Sequence, residues 1–382
     1  MHFSRRRFAT GLAAVGLLGC STPSSLRSSG LNPSSGLPSD LRPVANSGYD
    51  AWVESFQSRA VGQGFSNELL TKAFRGAGYL PGVVARDRDQ TEFSRSLEDY
   101  LSIAVSEERV AKGRAAYSRH RAVLQSIENE FGVDAHIVAA IWGLESFYGE
   151  RRGNVPVVSA TSTLAYDGRR GQFFERQLMA ALQILRDGQT TAAGLVGSWA
   201  GAMGHTQFIP TSYLSFAVDF TGDGRSDIWG EDPSDALAST AHYMFRNGWQ
   251  RGGRWGGETG ANAPPGTVIQ PQAGGPEFSV TSNFRAIKRY NNSDAYAIGV
   301  GHLADRIAGS PPLRGSFPPD ANGMTKDDRI ALQRRLTSRG FDTEGADGVI
   351  GSKTREAIRA YQASAGLAVT GEPSLSLLQE LT

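Results

Sequence analysis

Asp134-Ala-His-Ile-Val-Ala-Ala-Ile-Trp-Gly-Leu-Glu-Ser-Phe-Tyr-Gly149 is an apolar run with a single acid set into it. Asp134 is a strong N-cap residue and Gly149 a strong stop. Ile137, Ile141, Leu144 and Tyr148 recur at helical spacing, which predicts a helix with one buried face. At about 100° per residue, Glu145 falls roughly 40° from Ile141 and borders that face. A carboxyl placed there is partly desolvated, which disfavours its charged form and raises its pKa. Near neutral pH such a group can donate a proton and then take one back. The stretch alone leaves a second reading open, that of a rim residue whose head reaches water or an arginine.

Working outward, Gly197-Ser-Trp-Ala-Gly-Ala-Met-Gly-His-Thr-Gln-Phe-Ile-Pro-Thr-Ser-Tyr213 is rich in small residues, with Ser198 and Gln207 as isolated polar groups. Small residues let a chain approach a ligand closely and also serve tight helix packing, while Ser and Gln can orient amides or hydroxyls. Arg289-Tyr-Asn-Asn-Ser-Asp-Ala-Tyr296 adds aromatics with polar handles, which suit sugar faces and also cap cores. Asp219-Phe-Thr-Gly-Asp-Gly-Arg-Ser-Asp-Ile-Trp229 matches the start of an EF-hand calcium loop. Asp219, Thr221 and Asp223 supply alternating oxygens, the Arg225 carbonyl follows, and Gly224 gives the sharp turn. The twelfth position is Gly230 and not a bidentate Glu, so Asp227 or Asp235 must close the shell. The loop predicts a structural calcium ion that takes no part in the chemistry.

The 382 residues are enough for two domains, and the net charge of +1 offers no basic face for nucleic acid. Six scattered histidines, none at zinc-ligand spacing, argue against a zinc site, and no P-loop, G-x-S-x-G or dinucleotide fingerprint is present. The single cysteine, Cys20, closes a segment with Arg5, Arg6 and Arg7 followed by a short apolar run, which reads as a signal peptide over residues 1–20. Ser4-Arg-Arg-Arg-Phe8 resembles a twin-arginine export signal, and Leu17-Leu-Gly-Cys20 resembles a bacterial lipoprotein cleavage box. These imply export to the periplasm, lipidation of Cys20 and anchoring at the outer membrane by lipid alone. Residues 21–48, rich in Ser, Pro, Gly and Asn, then read as a flexible tether.

Helical periodicity dominates from Tyr49 to Glu130, and further helices are predicted over residues 176–185 and 234–247. Gly and Pro density between 252 and 283, with Thr267-Val-Ile269 and Phe278-Ser-Val280, predicts loops with a few short strands. The proline-rich stretch over 310–323 marks a domain boundary, with residues 49–309 before it and 324–382 after it. In the second unit Thr325-Lys-Asp-Asp328 is a capping box, Gly340 a stop and Asp347-Gly348 a turn. Three short helices around a leucine-rich core follow as the economical fold.

Taken together, Gly143-Leu-Glu-Ser-Phe-Tyr-Gly149, Gly197–Gly204 with Gln207-Phe-Ile-Pro210, Asp219–Gly224 and Arg289-Tyr-Asn-Asn-Ser293 resemble the lytic murein transglycosylase B family. The region after Thr325, with Asp347-Gly-Val-Ile-Gly-Ser-Lys-Thr354 and Tyr361-Gln362, resembles a small peptidoglycan-binding module. The resemblance implies a mainly α (α+β) chain with a lysozyme-like catalytic domain, a helical N-terminal part and an EF-hand-like loop. It implies cleavage of the β-1,4 bond between N-acetylmuramic acid and N-acetylglucosamine of peptidoglycan glycan strands, with Glu145 as catalytic acid and base and no cofactor for the chemistry. Matched positions imply substrate contacts at Ser198, Gln207, Tyr243, Tyr290, Asn291, Tyr296 and Tyr100. They also imply a cation shell of Asp219, Thr221, Asp223, Arg225 and Asp235.

Ordinary glycoside hydrolysis uses two carboxylates, and the motifs here supply one. A single acid suffices if the sugar's own 6-hydroxyl replaces water, giving a 1,6-anhydro product. Two alternatives stand beside it: a hydrolase using Asp167 or Glu175 as partner, and a non-catalytic wall-binding lipoprotein.

Overall fold

The computed structural model describes residues 36–89, 95–260 and 262–381. The signal segment and Cys20 lie outside these residues. The architecture is mainly helical, as the sequence indicates, with two small antiparallel sheets. One pairs Val155–Pro156 with Val196–Gly197. In the other, Phe278–Val280 lies between Gly256–Glu258 and Thr267–Ile269, so that Phe278 faces both Glu258 and Ile269.

The first packed residue comes earlier than the composition suggests. Leu37 and Leu41 are buried with Leu80, Val83, Ala160 and Leu164, and Val44 bridges to Tyr79. Asn46 then caps the Ser47–Gly62 helix by accepting from the Tyr49 N–H. The flexible tether read over 21–48 therefore gives way to folded chain by residue 37, because two leucines in a polar run suffice to dock it on a ready apolar surface.

Asp134 caps the Ala135–Ser146 helix as expected, accepting from the His136 N–H, but two features differ from the amphipathic reading. Every residue from Ile137 to Ser146 is buried, so the helix runs through the core and not along its rim. Its end comes at Ser146, where Phe147 (φ 54°) and Tyr148 (φ 60°) turn left-handed before Gly149 is reached. Those two residues are held by neighbours: the Tyr148 hydroxyl donates to the Arg109 carbonyl, and Lys112, Arg151 and Arg109 surround the Phe147 ring at 4.4, 4.5 and 5.2 Å. Cation–π contacts and a buried hydrogen bond offset a strain of about 1–3 kcal/mol per residue. Gly143 is obligatory, since a Cβ there would sit 2.5 Å from the Tyr148 ring.

Two helices, over residues 157–167 and 294–307, carry no clear sequence period. Val157–Asp167 is nearly all buried and holds Ser and Thr, whose hydroxyls bond back to carbonyls one turn earlier, Thr161 to Val157 and Ser162 to Val158. Ser282–Tyr290 and Asp294–Ile307 flank the polar aromatic cluster, and Asp294–Ile307 packs directly on the Ala135–Ser146 helix. The helix predicted over 176–185 runs from Gly171 to Arg186. Ser234–Arg246 falls where expected.

The second unit matches its reading. Thr325 and Asp328 form a reciprocal capping box on Lys326–Ser338, and Ser352–Ser364 and Leu375–Glu380 complete three helices around Leu332, Leu336, Ile358 and Leu377. The proline-rich boundary is a docked strap. The Arg314 and Gly315 N–H groups donate to the Glu258 carboxylate at 2.9 and 2.6 Å, while Leu313 and Phe317 pack against the main core. No described helix is long and apolar enough to cross a membrane.

Candidate active site

Glu145 lies in the last turn of the core helix and is 9% exposed. The Tyr296 hydroxyl, from the start of the Asp294–Ile307 helix, donates to its Oε1 at 2.6 Å. Burial pushes the Glu145 carboxyl up to about 8, and the Tyr296 hydrogen bond only partly opposes it. At neutral pH the group holds its proton. With Oε1 engaged by Tyr296, the proton resides on Oε2, which has no hydrogen-bond partner among the described residues. This is the electronic state of a general acid. Burial, with the adjacent Glu145, also keeps the Tyr296 phenol protonated far above the usual range, so it remains a donor throughout.

The strap over 197–208 is tied to the end of the same helix. Trp142 Nε1 donates to His205 Nδ1 at 3.1 Å, and the Ser146 hydroxyl donates to the His205 carbonyl. His205 Nε2 lies 2.7 Å from the Gly230 carbonyl, which makes it the protonated nitrogen, and burial keeps the ring neutral. Met203 and Phe208 exchange both backbone hydrogen bonds and close a tight turn. In that turn Gln207 (φ 56°) gives its amide nitrogen to the Arg152 and Gly204 carbonyls. Its side-chain oxygen is then the group left to receive from a sugar amide or hydroxyl. Ser198 Oγ accepts from the Ala202 N–H at 3.1 Å and keeps its own proton to donate.

Aromatic rings form the adjoining wall. Tyr243 and Tyr290 lie 4.9 Å apart edge to face, each 5.9 Å from Phe208. Their hydroxyls donate to the Arg289 and Thr206 carbonyls, both at 2.6 Å, so these two residues offer ring faces and oxygen lone pairs, not protons. Tyr100, on the Leu97–Ala104 helix, packs so closely on Gly299 that a Cβ there would come within 2.9 Å of its ring. Asn291 closes the Ser282–Tyr290 helix and is buried. The structure thus gathers Glu145, Tyr296, Tyr290 and Tyr243 at one place, with Ser198 and Gln207 on the strap beside them. Three supporting residues escaped the sequence reading: Trp142, Arg152 and His205. The histidine was visible as the one imidazole in the small-residue run.

The two carboxylates weighed as hydrolytic partners are committed elsewhere. Asp167 pairs with Arg88 at 2.6 Å and Glu175 with Arg59 at 3.1 Å. Burial and the Tyr296 hydrogen bond account for the acidity of Glu145, with no second carboxylate acting on it.

On the far side of the strap, one oxygen each from Asp219, Asp223 and Asp235 falls within 4.8 Å of the others. Asp235, which is 3% exposed, accepts from the Phe220, Thr221 and Asp227 N–H groups. Asp219 accepts from Gly222, Asp223 and Gly224 and from the Thr221 hydroxyl. Asp227, the other closing ligand considered, instead caps the Trp229 and Gly230 N–H groups. Three convergent carboxylates with one arginine among them, Arg225 at 3.6 Å from Asp223, fit a hard divalent cation held by oxygens. Arg152 joins this loop to the strap by donating to the Trp229 and Gly230 carbonyls and pairing with Glu231.

Comparison with known proteins agrees with this geometry. The profile of the family described as "Transglycosylase SLT domain" matches residues 48–266 and 257–305, and that of "Putative peptidoglycan binding domain" matches residues 325–381. Membrane-bound lytic murein transglycosylase B of Escherichia coli (strain K12) is 30% identical over 242 residues, covering 55% of this chain and 66% of that protein. SltB3 from Pseudomonas aeruginosa, solved in complex with NAG-anhNAM-pentapeptide, superposes with a TM-score of 0.69 at 41% identity, covering 87% of this chain and 99% of that one. The Escherichia coli lytic transglycosylase Slt35 in complex with calcium gives 0.58 at 25% identity, over 73% of this chain and 98% of that one. With Glu145 enclosed beneath Tyr296 and a three-helix unit at its C-terminal end, the chain belongs to the transglycosylase SLT domain family and carries a peptidoglycan-binding domain there.

Proposed function

We propose that this protein is a lytic transglycosylase that cleaves the β-1,4 bond between N-acetylmuramic acid and N-acetylglucosamine in peptidoglycan. The observation that carries the reading is one enclosed, protonated carboxyl with a tyrosine donor and no carboxylate partner. Glu145 gives its proton to the glycosidic oxygen as the bond to the anomeric carbon breaks, and the leaving sugar departs as an alcohol. The carbonyl oxygen of the muramic acid N-acetyl group bonds to the anomeric carbon in the interval. Glu145, now a carboxylate, takes the proton of the 6-hydroxyl. That oxygen then displaces the acetamido oxygen and closes the 1,6-anhydro ring. Tyr296 donates to the carboxylate while it is charged, and the aromatic wall excludes the water that would divert the reaction. Digestion of purified peptidoglycan followed by mass spectrometry should give anhydro-muramic acid termini. Reducing muramic acid ends would establish a hydrolase instead, and an undigested wall a binding protein.

Calcium at Asp219, Asp223 and Asp235 is the second part of the reading, with the main-chain carbonyls of the loop completing the shell. Such an ion supplies charge neutralisation and rigidity to the loop. Binding to the folded state alone stabilises by RT ln(1 + [L]/Kd), about 2.7 kcal/mol at a hundredfold excess over Kd. Calcium should therefore raise the melting temperature of the wild type and leave that of Asp223→Ala unchanged. Identical wild-type melting curves in calcium and in chelator would remove the ion.

Export and lipidation at Cys20 form the third part. A lipobox followed by a polar stretch fits a mature N-terminus held at a membrane while the folded part reaches the wall. Several acyl chains, at about 0.8 kcal/mol per buried methylene, hold a protein firmly where one does not. Cys20→Ala should move the protein from the membrane to the soluble periplasmic fraction with its specific activity retained. Wild type recovered soluble, with an unmodified N-terminus, would point to simple secretion.

A further inference from the structure

Arg329 belongs to the C-terminal module, on the Lys326–Ser338 helix, yet it is 3% exposed. Its Nε donates to the Gly348 carbonyl and its Nη1 to Met324 and Asp320, contacts that stay within the module and its strap. Its Nη2 crosses to the catalytic domain, donating to Glu98 Oε2 at 2.6 Å and Asp99 Oδ1 at 3.2 Å. Glu98 and Asp99 form the first turn of the Leu97–Ala104 helix, and the next residue is Tyr100. That turn is held from a second side, since the Glu98 N–H donates to the Gln272 side chain. Tyr100 in turn lies on Gly299, three residues past Tyr296 on the helix whose tyrosine holds Glu145.

Three carboxylates, Glu98, Asp99 and Asp320, meet this one guanidinium. Without it they would face one another part-buried and unpaired, which is the costly half of a broken buried ion pair. The arginine therefore decides whether the module stays against the Leu97–Ala104 helix. A freely tethered wall anchor has no use for such a residue, which is better suited to a fixed contact.

We propose that Arg329 is a positioning residue for the transglycosylase reaction. By clamping the first turn of the Leu97–Ala104 helix it fixes Tyr100 against the helix that carries Tyr296 and makes the C-terminal module a rigid support of the glycan site. The proposal rests on the function given above. Modest displacement of a substrate-positioning group far from the bond being broken can cost up to about a hundredfold, so a loss of about tenfold is the expected scale.

The test uses the full chain and a soluble muramyl tetrasaccharide, with binding measured in a Glu145→Gln background and turnover in the active enzyme. Arg329→Ala, and separately Glu98→Gln with Asp99→Asn, should each weaken tetrasaccharide binding by about tenfold and raise KM to match. Arg329→Lys, which keeps the charge but cannot span the Gly348 carbonyl and both carboxylates, should fall between. The paired catalytic-domain changes leave every contact inside the C-terminal module intact, so sedimentation with insoluble wall should persist in that variant. Variants that melt earlier but bind and turn over the tetrasaccharide like wild type would overturn the proposal and leave Arg329 a purely structural residue. If wild type binds the tetrasaccharide without cleaving it, the assigned reaction fails, while the binding comparison still decides the clamp.

Discussion

Glu145→Gln should lower turnover by about a thousandfold or more while glycan and wall binding stay within a few-fold of wild type. General acid or base help alone is typically worth about 10² to 10⁴, and here one group serves both steps. The amide fills the same space and can still accept from the Tyr296 hydroxyl, so the cavity keeps its shape. A variant within tenfold of wild type would take Glu145 out of the mechanism. The same substitution has a second readout that does not depend on activity. The carboxyl titrates at about 8 when folded, against an ordinary 4.5 in the unfolded chain. Because the folded value is the higher one, the folded state keeps a proton that the unfolded chain releases. This contribution to stability is complete below pH 4.5 and is lost as pH rises toward 8. Glu145→Gln should therefore match wild type near pH 4 and exceed it at pH 7, by on the order of 3 kcal/mol. Wild-type activity should fall on the alkaline side as the same proton leaves. An activity limb near pH 4 to 5 with no stabilisation in the glutamine variant would mean that the carboxyl is ionised and solvated.

The second large effect is expected at Asp235. Alanine there leaves the N–H groups of Phe220, Thr221 and Asp227 without their acceptor at a position 3% exposed. An unsatisfied buried group costs about 1–3 kcal/mol, and with partial access of water to the loop a total of about 3–5 kcal/mol follows. In a domain of this size that is a drop in melting temperature on the order of 10 °C. The effect should appear in chelator as well as in calcium, because it arises from backbone hydrogen bonds. Asp223→Ala, at an exposed carboxylate, should by contrast cost little in chelator and abolish only the calcium response. Loss at Asp235 should also reach the reaction, since Arg152 and His205 connect the end of this loop to the strap carrying Gln207. An Asp235→Ala protein that melts with wild type in chelator would show that other groups order the loop.

The strap over 310–319, read from its composition as a domain boundary, is docked along its length on the first unit. With Arg314 and Gly315 bound to Glu258, and Leu313 and Phe317 in the core, the spacer is part of the catalytic domain's surface. Proline content indicated stiffness correctly. It could not indicate that the stiff segment lies against a carboxylate waiting for two N–H donors.

What the sequence determined by itself is what short-range chemistry encodes. The Asp134 cap, the Thr325–Asp328 capping box, the spacing of Asp219 and Asp223 and the three helices of the last unit all involve partners a few residues apart, and all are present. The resemblance carried by four motifs likewise pointed to the family. What only the tertiary structure decided depends on which surfaces meet. Glu145 looked like the edge of a stripe and is enclosed, because helices from both sides of the sequence cover its whole surroundings. Tyr296 was expected to touch substrate, and it holds the acid from 151 positions away. Asp235, left open against Asp227, closes the loop because a helix start brings it beneath three free N–H groups. The largely buried helices 157–167 and 294–307 went unread, since a helix packed on nearly all sides has no broad polar face to set a period. Burial sets the acidity of the Glu145 carboxyl, and burial is a property of neighbours distant in the chain.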